Sequence, residues 1–259
     1  MNMRNDNSNE FELSRDRISK YKEEGYLMLP SFLNQAEVQE CNERIDNYIK
    51  KTVPKISGAE VFYEDRNDQN SLKQLQRMHE HDPWFHELFN GKPKQVAEEL
   101  LGTDVITKNL QYFNKPPKIG TATPPHQDGF YFKLNPPKAL TMWLALNDVD
   151  EENGCVRYVK GSHLKGMREH GLTGTLGFSQ GISDYGNEDD KMNEAPAPAS
   201  EGDLIVHDSL TIHLAGKNLS NDRPRRAIGF IFYSSEAKED SNEISNYQEE
   251  LKDQQRGKI

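Results

Sequence analysis

Two imidazoles and one carboxylate define the chemistry this chain can do. His126 and Asp128 stand in the run Pro124-Pro125-His126-Gln127-Asp128-Gly129, and His213 follows 87 residues later at the end of a strand-like stretch from Asp203. Two His and one Asp on one face of an octahedral ion are the ligand set of non-haem Fe(II) centres, and they leave the opposite positions open for reactants. A lone His-x-Asp carries little weight, because a chain of this composition holds about half an occurrence by chance. The ordered surroundings are more specific: a Pro-rich turn before the pair, Asn218 soon after the distal His, and Arg225 twelve residues beyond it. A guanidinium such as Arg225's can grip a carboxylate bidentately. If a strand begins at Arg225, then Arg225, Ala227 and Gly229 share one face and Arg226 takes the other, so only one of the two arginines points inward. Zn(II) also accepts two His and a carboxylate, so a zinc hydrolase and a cupin-like protein with a structural metal are the competing readings. Neither needs a cation fixed beside the ion.

The elements that position these residues change character near residue 103. Before it the chain reads mostly as helices. Ser14 is an N-cap and Gly25 a stop, Asn34 and Glu37 have capping-box spacing, and Val38, Cys41, Ile45, Tyr48 and Ile49 recur at helical intervals up to Thr52. Asp82-Pro83 opens a further helix, and Val96, Ala97, Leu100 and Leu101 line one that stops at Gly102. Tyr26 to Leu29 forms a short strand. From 103 the runs Asp104–Phe113, Leu140–Leu146, Val156–Val159, Asp203–His213 and Arg226–Tyr233 are short, apolar or alternating, and bounded by Pro, Gly and Asn, the pattern of an antiparallel sandwich or barrel. Residues 165–200 are expected to be irregular, with Leu172–Asp190 as a lid or specificity loop. One domain is expected over 1–259: a helical N-terminal region over residues 1–102, a β core over 103–235 and a charged tail over 236–259 that is either a frayed helix or disordered.

Composition narrows the partners. With 32 Lys and Arg against 42 Asp and Glu the net charge is −10, the wrong sign for coating a phosphate backbone, so no nucleic acid is expected. No apolar run approaches the length of a bilayer span and the first residues hold no apolar signal region, which makes the cytoplasm the expected compartment, without membrane association. Cys41 and Cys155 have no metal-ligand spacing and read as packed apolar residues.

The sequence resembles the phytanoyl-CoA dioxygenase family of Fe(II)- and 2-oxoglutarate-dependent oxygenases. The resemblance runs in order through Asn114-Lys115-Pro116-Pro117, His126-Gln127-Asp128, Trp143, Glu152-Asn153-Gly154-Cys155, Gly161-Ser162-His163, Gly202-Asp203-Leu204, His213, Asn218 and Arg225-Arg226-Ala227-Ile228. It implies a mainly β fold, a double-stranded β-helix (jelly-roll) core braced by helices. It implies that His126, Asp128 and His213 hold Fe(II), with 2-oxoglutarate as cosubstrate and O2 as oxidant, and that an unactivated carbon of a small molecule is hydroxylated with release of succinate and CO2. Asp128 favours hydroxylation, because halogenating relatives carry a small residue in place of the carboxylate. Arg225 matches the cosubstrate arginine but stands one residue further from His213 than the family's usual spacing, which leaves Arg226 as the alternative. Trp143 fits by its spacing from His126, while Gln111, Lys108 and Thr141 are further candidates for holding the cosubstrate by polarity and strand position, with Ala215 nearby. A protein substrate is the alternative to a small molecule.

The remaining polar residues read more simply. His79, His81 and His86 belong to a solvated helix face, His163 to a turn, and His207, which shares strand parity with His213, to a supporting role behind the ligands. Gln74 and Arg77 are placed on a helix and are weaker candidates for a substrate's polar end. Tyr112, Phe113, Tyr131 and Phe132 read as core or pocket wall.

Overall fold

The computed structural model describes residues 12–175 and 178–245, without the side chains of residues 174–179. In chain order the elements are α1 (Arg15–Glu24), β1 (Tyr26–Leu29), α2 (Gln35–Lys51), β2 (Val61–Tyr63), β3 (Leu72–Leu75), α3 (Met78–His81), α4 (Pro83–Asn90), α5 (Lys92–Leu101), β4 (Val105–Lys115) and β5 (Thr123–His126). They continue with α6 (Asp128–Phe132), β6 (Leu134–Asn135), β7 (Ala139–Ala145), β8 (Val156–Val159), β9 (His170–Thr175), β10 (Phe178–Ile182), α7 (Glu188–Asn193), β11 (Glu194–Ala197), β12 (Leu204–Asp208), β13 (His213–Ala215), β14 (Arg225–Ser234) and β15 (Lys238–Glu239).

Local chemistry sets the helices. The Ser14 hydroxyl caps α1, which ends at Gly25 in the left-handed region. Asn34 and Glu37 form the expected capping box on α2, with Asn34 Oδ1 accepting from the N–H groups of Ala36 (2.9 Å) and Glu37 (3.1 Å). Asn34→Ala should therefore cost about 1 kcal/mol in urea denaturation, and an unchanged midpoint would show that the cap contributes nothing.

Seven strands form a sheet in the order β1-β12-β7-β14-β4-β3-β2, and four form a second in the order β11-β8-β13-β5, with antiparallel pairing throughout. Two small ribbons, β9 with β10 and β6 with β15, complete the set. Strand parity sorts the large sheet into two faces. Leu140, Met142 and Leu144 of β7, Leu204 and Val206 of β12, and Ile228, Phe230 and Phe232 of β14 pack against the helices in the principal core. The alternate residues Trp143, Ala145, Ile205 and Ala227 face the small sheet, where they meet Val156 and Tyr158. Because β7 is buried on both faces its sequence is apolar at every position but Thr141 rather than alternating.

Three expectations are corrected. Before residue 103, β1 is the short strand expected over Tyr26–Leu29, but the mostly helical reading lacks β2 and β3, which extend the large sheet at its other edge. The stretch Asp203–His213 is two strands in different sheets, β12 and β13. Residues 165–200 hold the β9–β10 hairpin, α7 and β11 rather than irregular chain. Of the charged tail, Lys238–Glu239 pairs with β6 and residues 241–245 are helical, while residues 246–259 lie outside the described residues. Among the described residues no helix is long and apolar enough to cross a membrane.

Candidate active site

His126 and His213 are directly opposite each other across the β5–β13 pair, and Tyr158 of β8 is opposite His213 on the other side. Residues paired this way present their side chains to the same face of the sheet. Strand pairing thus closes the 87-residue gap in sequence, leaving the imidazole centroids 4.1 Å apart. Asp128 follows after one extended residue, as the first residue of α6. Its Oδ1 lies 3.5 Å from His126 Nε2 and 3.7 Å from His213 Nε2. Among the described residues this trio is the one group of His, Cys, Asp or Glu able to hold a metal ion, its ligand atoms all within 4.8 Å of one another.

Neighbouring hydrogen bonds orient each ligand. His126 Nδ1–H donates to the Pro124 carbonyl at 2.8 Å and His213 Nδ1–H to the Thr211 carbonyl at 3.0 Å, which leaves both Nε2 lone pairs for a metal. Asp128 Oδ2 accepts from the Thr141 hydroxyl (2.5 Å) and from His207 Nε2–H (3.1 Å), which leaves Oδ1 for the ion. His207 in turn accepts at Nδ1 from the Tyr158 hydroxyl at 3.1 Å. Thr141 and His207 are opposite one another in the large sheet, so Asp128 bridges from the small sheet to the large.

The electrostatics agree with a metal site. Burial, reinforced by His126 and His207, pushes the His213 imidazole well down, keeping it in the neutral form that ligates. For Asp128 burial pulls upward, but the surrounding imidazoles, His213 foremost and then His126 and His207, outweigh it and hold the carboxyl well below its usual range. Burial pushes the Tyr158 phenol well up, so it remains a donor.

Beyond the trio a cavity runs inward between the sheets. Trp143, Val156, Leu214 and Ala215 supply apolar wall, and Lys73, Lys115 and Arg225 supply cations. Arg225 is 5% exposed, its guanidinium carbon lies 5.2 Å from the Trp143 ring centroid, and its Nε has no hydrogen-bond partner among the described residues. Burial lowers its pKa to about 10, which still leaves it charged at neutral pH. Lys115 donates to the carbonyls of Thr121 and Gly216, and burial, with Arg225 and Lys73 close by, pushes it well down. Lys73 donates to Thr121 Oγ1 (3.0 Å) and pairs with Glu64 (3.3 Å).

The strand parity assigned to β14 holds: Arg225 enters the cavity, whereas Arg226 points to the helices, pairing with Asp46 at 2.6 Å and donating to the Tyr112 hydroxyl at 3.0 Å. Trp143 and Ala215 line the cavity as expected. Thr141 also lines it, but its hydroxyl is committed to Asp128 rather than presented to a cosubstrate. Gln111 is buried behind the wall: Gln74 donates to it at 2.6 Å and occupies the lining position. Lys108 does not reach the cavity. The β4–β14 register passes from Asn109–Ile231 to Thr107–Phe232, leaving Lys108 as the bulge residue, turned out to an ion pair with Glu239. Gln74 sits on β3 rather than on a helix, and Arg77 lies outside the cavity, paired with Glu80. His81 pairs with Glu60 at 2.6 Å, and His163 contacts the Lys22 carbonyl at 3.1 Å. Lys73 and Tyr158 carry no signal in the sequence that singles them out. Lys115 is visible there only within the Asn114-Lys115-Pro116-Pro117 motif.

A family model described as phytanoyl-CoA dioxygenase matches residues 21–227. The chain is 26% identical over 260 residues to phytanoyl-CoA dioxygenase domain-containing protein 1 of Bos taurus, covering 84% of this chain and 89% of that one. It is also 26% identical over 247 residues to a phytanoyl-CoA dioxygenase of Arabidopsis thaliana, covering 81% and 85%. Among solved structures it is similar to the non-heme alpha-ketoglutarate-dependent carbocyclase SnoK from nogalamycin biosynthesis, with TM-score 0.70 and 26% identity over 88% of this chain and 86% of that one. EctD from S. alaskensis, solved with 2-oxoglutarate and 5-hydroxyectoine, shares the fold with TM-score 0.72 at 18% identity, over 86% and 77%. A match across four-fifths of the sequence, joined to a ligand trio assembled by the strand pairing itself, places the chain in the phytanoyl-CoA dioxygenase family of iron- and 2-oxoglutarate-dependent oxygenases, with His126, Asp128 and His213 as its facial triad.

Proposed function

We propose that this chain hydroxylates an unactivated carbon of a small molecule, with 2-oxoglutarate as cosubstrate and Arg225 as the residue that binds its distal carboxylate. The observation that carries the reading is the pairing of a metal trio with a buried guanidinium whose Nε has no partner in the same cavity. A buried charge left without an acceptor is costly, and an anionic ligand supplies what is missing. When bound, ferrous iron with 2-oxoglutarate supplies O2 activation coupled to oxidative decarboxylation to succinate and CO2.

The chain's own residues do the rest. His126, Asp128 and His213 would hold the ion from one side and leave its remaining positions for reactants. Trp143 supports the Arg225 guanidinium from one side. Lys115, held by two carbonyls and paired in register with Arg225, closes the end of the cavity that receives the carboxylate. Val156, Leu214 and Ala215 keep that region apolar, which strengthens each charge contact. Retention of Asp128, rather than a small residue, supports hydroxylation over halogenation.

Anaerobic titration with Fe(II) and 2-oxoglutarate should produce a visible charge-transfer band in the wild type and none in His126→Ala. The same protein in air should consume O2 and release succinate. A wild type with no band and no succinate would overturn the reading and leave the zinc-hydrolase or scaffold alternatives.

A further inference from the structure

Gln127, the residue between two of the ligands, is fully buried and every polar group of its side chain is engaged. Its amide nitrogen donates to the carbonyls of Gly166 (2.9 Å) and Leu210 (2.6 Å), and its amide oxygen accepts from the Arg168 N–H (2.8 Å). Its backbone N–H donates to His170 Nε2 at 3.1 Å. His170 Nδ1–H donates to the Arg168 carbonyl at 2.8 Å, which fixes the tautomer and leaves the Nε2 lone pair for Gln127. The face of the ring is stacked on Phe130, two residues past Asp128, with centroids 4.2 Å apart and planes 12° apart.

The same short segment is the first leg of the β9–β10 hairpin. Just before β9, Arg168 ties the chain to Asp184 beyond β10 (2.7 Å) and to the buried Asp190 of α7 (2.6 Å). The hairpin lies directly on the backbone that leads into the triad: a Cβ at Gly181 would stand 2.9 Å from the Pro125 carbonyl oxygen. Tyr131 of α6 donates to the Gln180 carbonyl.

We propose that His170 is a positioning residue of the metal centre, whose Nε2 fixes the peptide between His126 and Asp128 and so makes the seat of the β9–β10 hairpin a determinant of the ligand spacing. The peptide on either side of Gln127 is the direct covalent link between the two ligands, and its rotation would alter their separation. Groups that orient metal ligands from behind alter metal affinity even without touching the ion. The proposal rests on the triad being a metal centre, but not on the identity of the substrate or on turnover.

Co(II) provides the probe, because its affinity and visible d–d bands report ligand geometry in the absence of O2 and 2-oxoglutarate. His170→Phe keeps a ring to stack on Phe130 but removes the acceptor; it should bind Co(II) about 10- to 100-fold more weakly, with shifted bands. His170→Gln places an amide oxygen near the position of Nε2 and should restore affinity to within about threefold of wild type, with wild-type bands. The thermal midpoint of the metal-free proteins controls for folding, and if His170→Phe does not fold, His170→Asn, whose shorter amide cannot reach Gln127, takes its place. Co(II) affinity and bands unchanged in the acceptor-less variant, or a His170→Gln variant as impaired as His170→Phe, would overturn the positioning role. A wild type that binds no Co(II) at all would overturn the metal centre itself.

Discussion

Arg225→Leu is expected to weaken 2-oxoglutarate binding by at least about 30-fold, the low end of what is lost when one partner of a buried charge pair is removed. Metal affinity should stay within about threefold, because Arg225 contacts none of the ligands. The same substitution should stabilise the ligand-free protein, and this opposite sign makes the experiment decisive. Burial lowers Arg225 to about 10, so holding it charged in the folded state costs on the order of 3 kcal/mol at neutral pH. The sign follows from linkage: the unfolded chain binds the proton more tightly, so the full penalty applies below pH 10 and fades as pH rises above it. Leucine removes the charge but leaves some volume unfilled and loses the Trp143 contact, so a net gain of about 1 to 3 kcal/mol is expected. Arg226→Ala should do the reverse. It loses the Asp46 and Tyr112 partners and about 1 kcal/mol of stability while leaving 2-oxoglutarate affinity within about twofold. Urea denaturation with and without 2-oxoglutarate reads both effects, since a ligand that binds only the folded state raises the midpoint. Loss of cosubstrate binding in the Arg226 variant rather than the Arg225 variant would sink the assignment.

What the sequence reveals of this fold follows from how local each signal is. Caps at Ser14 and Asn34, the Pro83 start and the Gly102 stop act within one helical turn, and α1, α2, α4 and α5 lie where those residues put them. Parity is equally local, which is why the sequence shows that only one of Arg225 and Arg226 enters the cavity, while the choice of Arg225 comes from the fold. The division of Asp203–His213 is not legible, because the break depends on distant partners. The Ser209 hydroxyl donates to the Pro137 carbonyl and the Thr211 hydroxyl to that of Gly25, drawing the chain out of the large sheet before it enters the small one. His207 and His213 therefore approach Asp128 from different sheets, so shared parity along one strand is not what brings them together.

The β9–β10 hairpin is hidden for a related reason. Its glycines resemble loop punctuation, yet a Cβ at Gly171 would stand 2.8 Å from Ser183 Oγ, and one at Gly181 would meet Pro125. They mark close approach of chains inside a packed ribbon rather than freedom to turn. Lys73 illustrates the other limit. Nothing in a short polar run identifies a lysine that will be buried; its burial makes sense only through Glu64 and Thr121, which the tertiary fold brings beside it. The triad is legible because its residue types are dictated by the metal. The residues that orient it are not, since a Thr, a Tyr and a His have many other uses.

Those orienting residues lead to the second large effect. Asp128→Asn preserves the shape of the side chain and should still lower metal affinity by about 100-fold or more, more than the loss of an outer-shell group alone would cause. The reason lies on the side of Asp128 away from the ion. Thr141 and His207 both donate hydrogen bonds to Oδ2. An asparagine satisfies those two donors only with its carbonyl oxygen, which turns its NH2 group, with no lone pair to give, towards the metal position. The opposite flip would aim the oxygen at the metal, but only if the Thr141 hydroxyl turned round as an acceptor and His207 switched tautomer, reversing its hydrogen bond with Tyr158. Co(II) titration of Asp128→Asn alone and combined with Thr141→Val separates the two halves of the argument. Removing the Thr141 hydroxyl relaxes the constraint on the amide, so the double variant should recover some of the lost affinity, whereas Thr141→Val in the wild-type background should weaken it. Affinity within about tenfold of wild type in Asp128→Asn, the low end of an outer-shell loss, would show that this carboxylate is not a ligand, and with it the facial triad would fall.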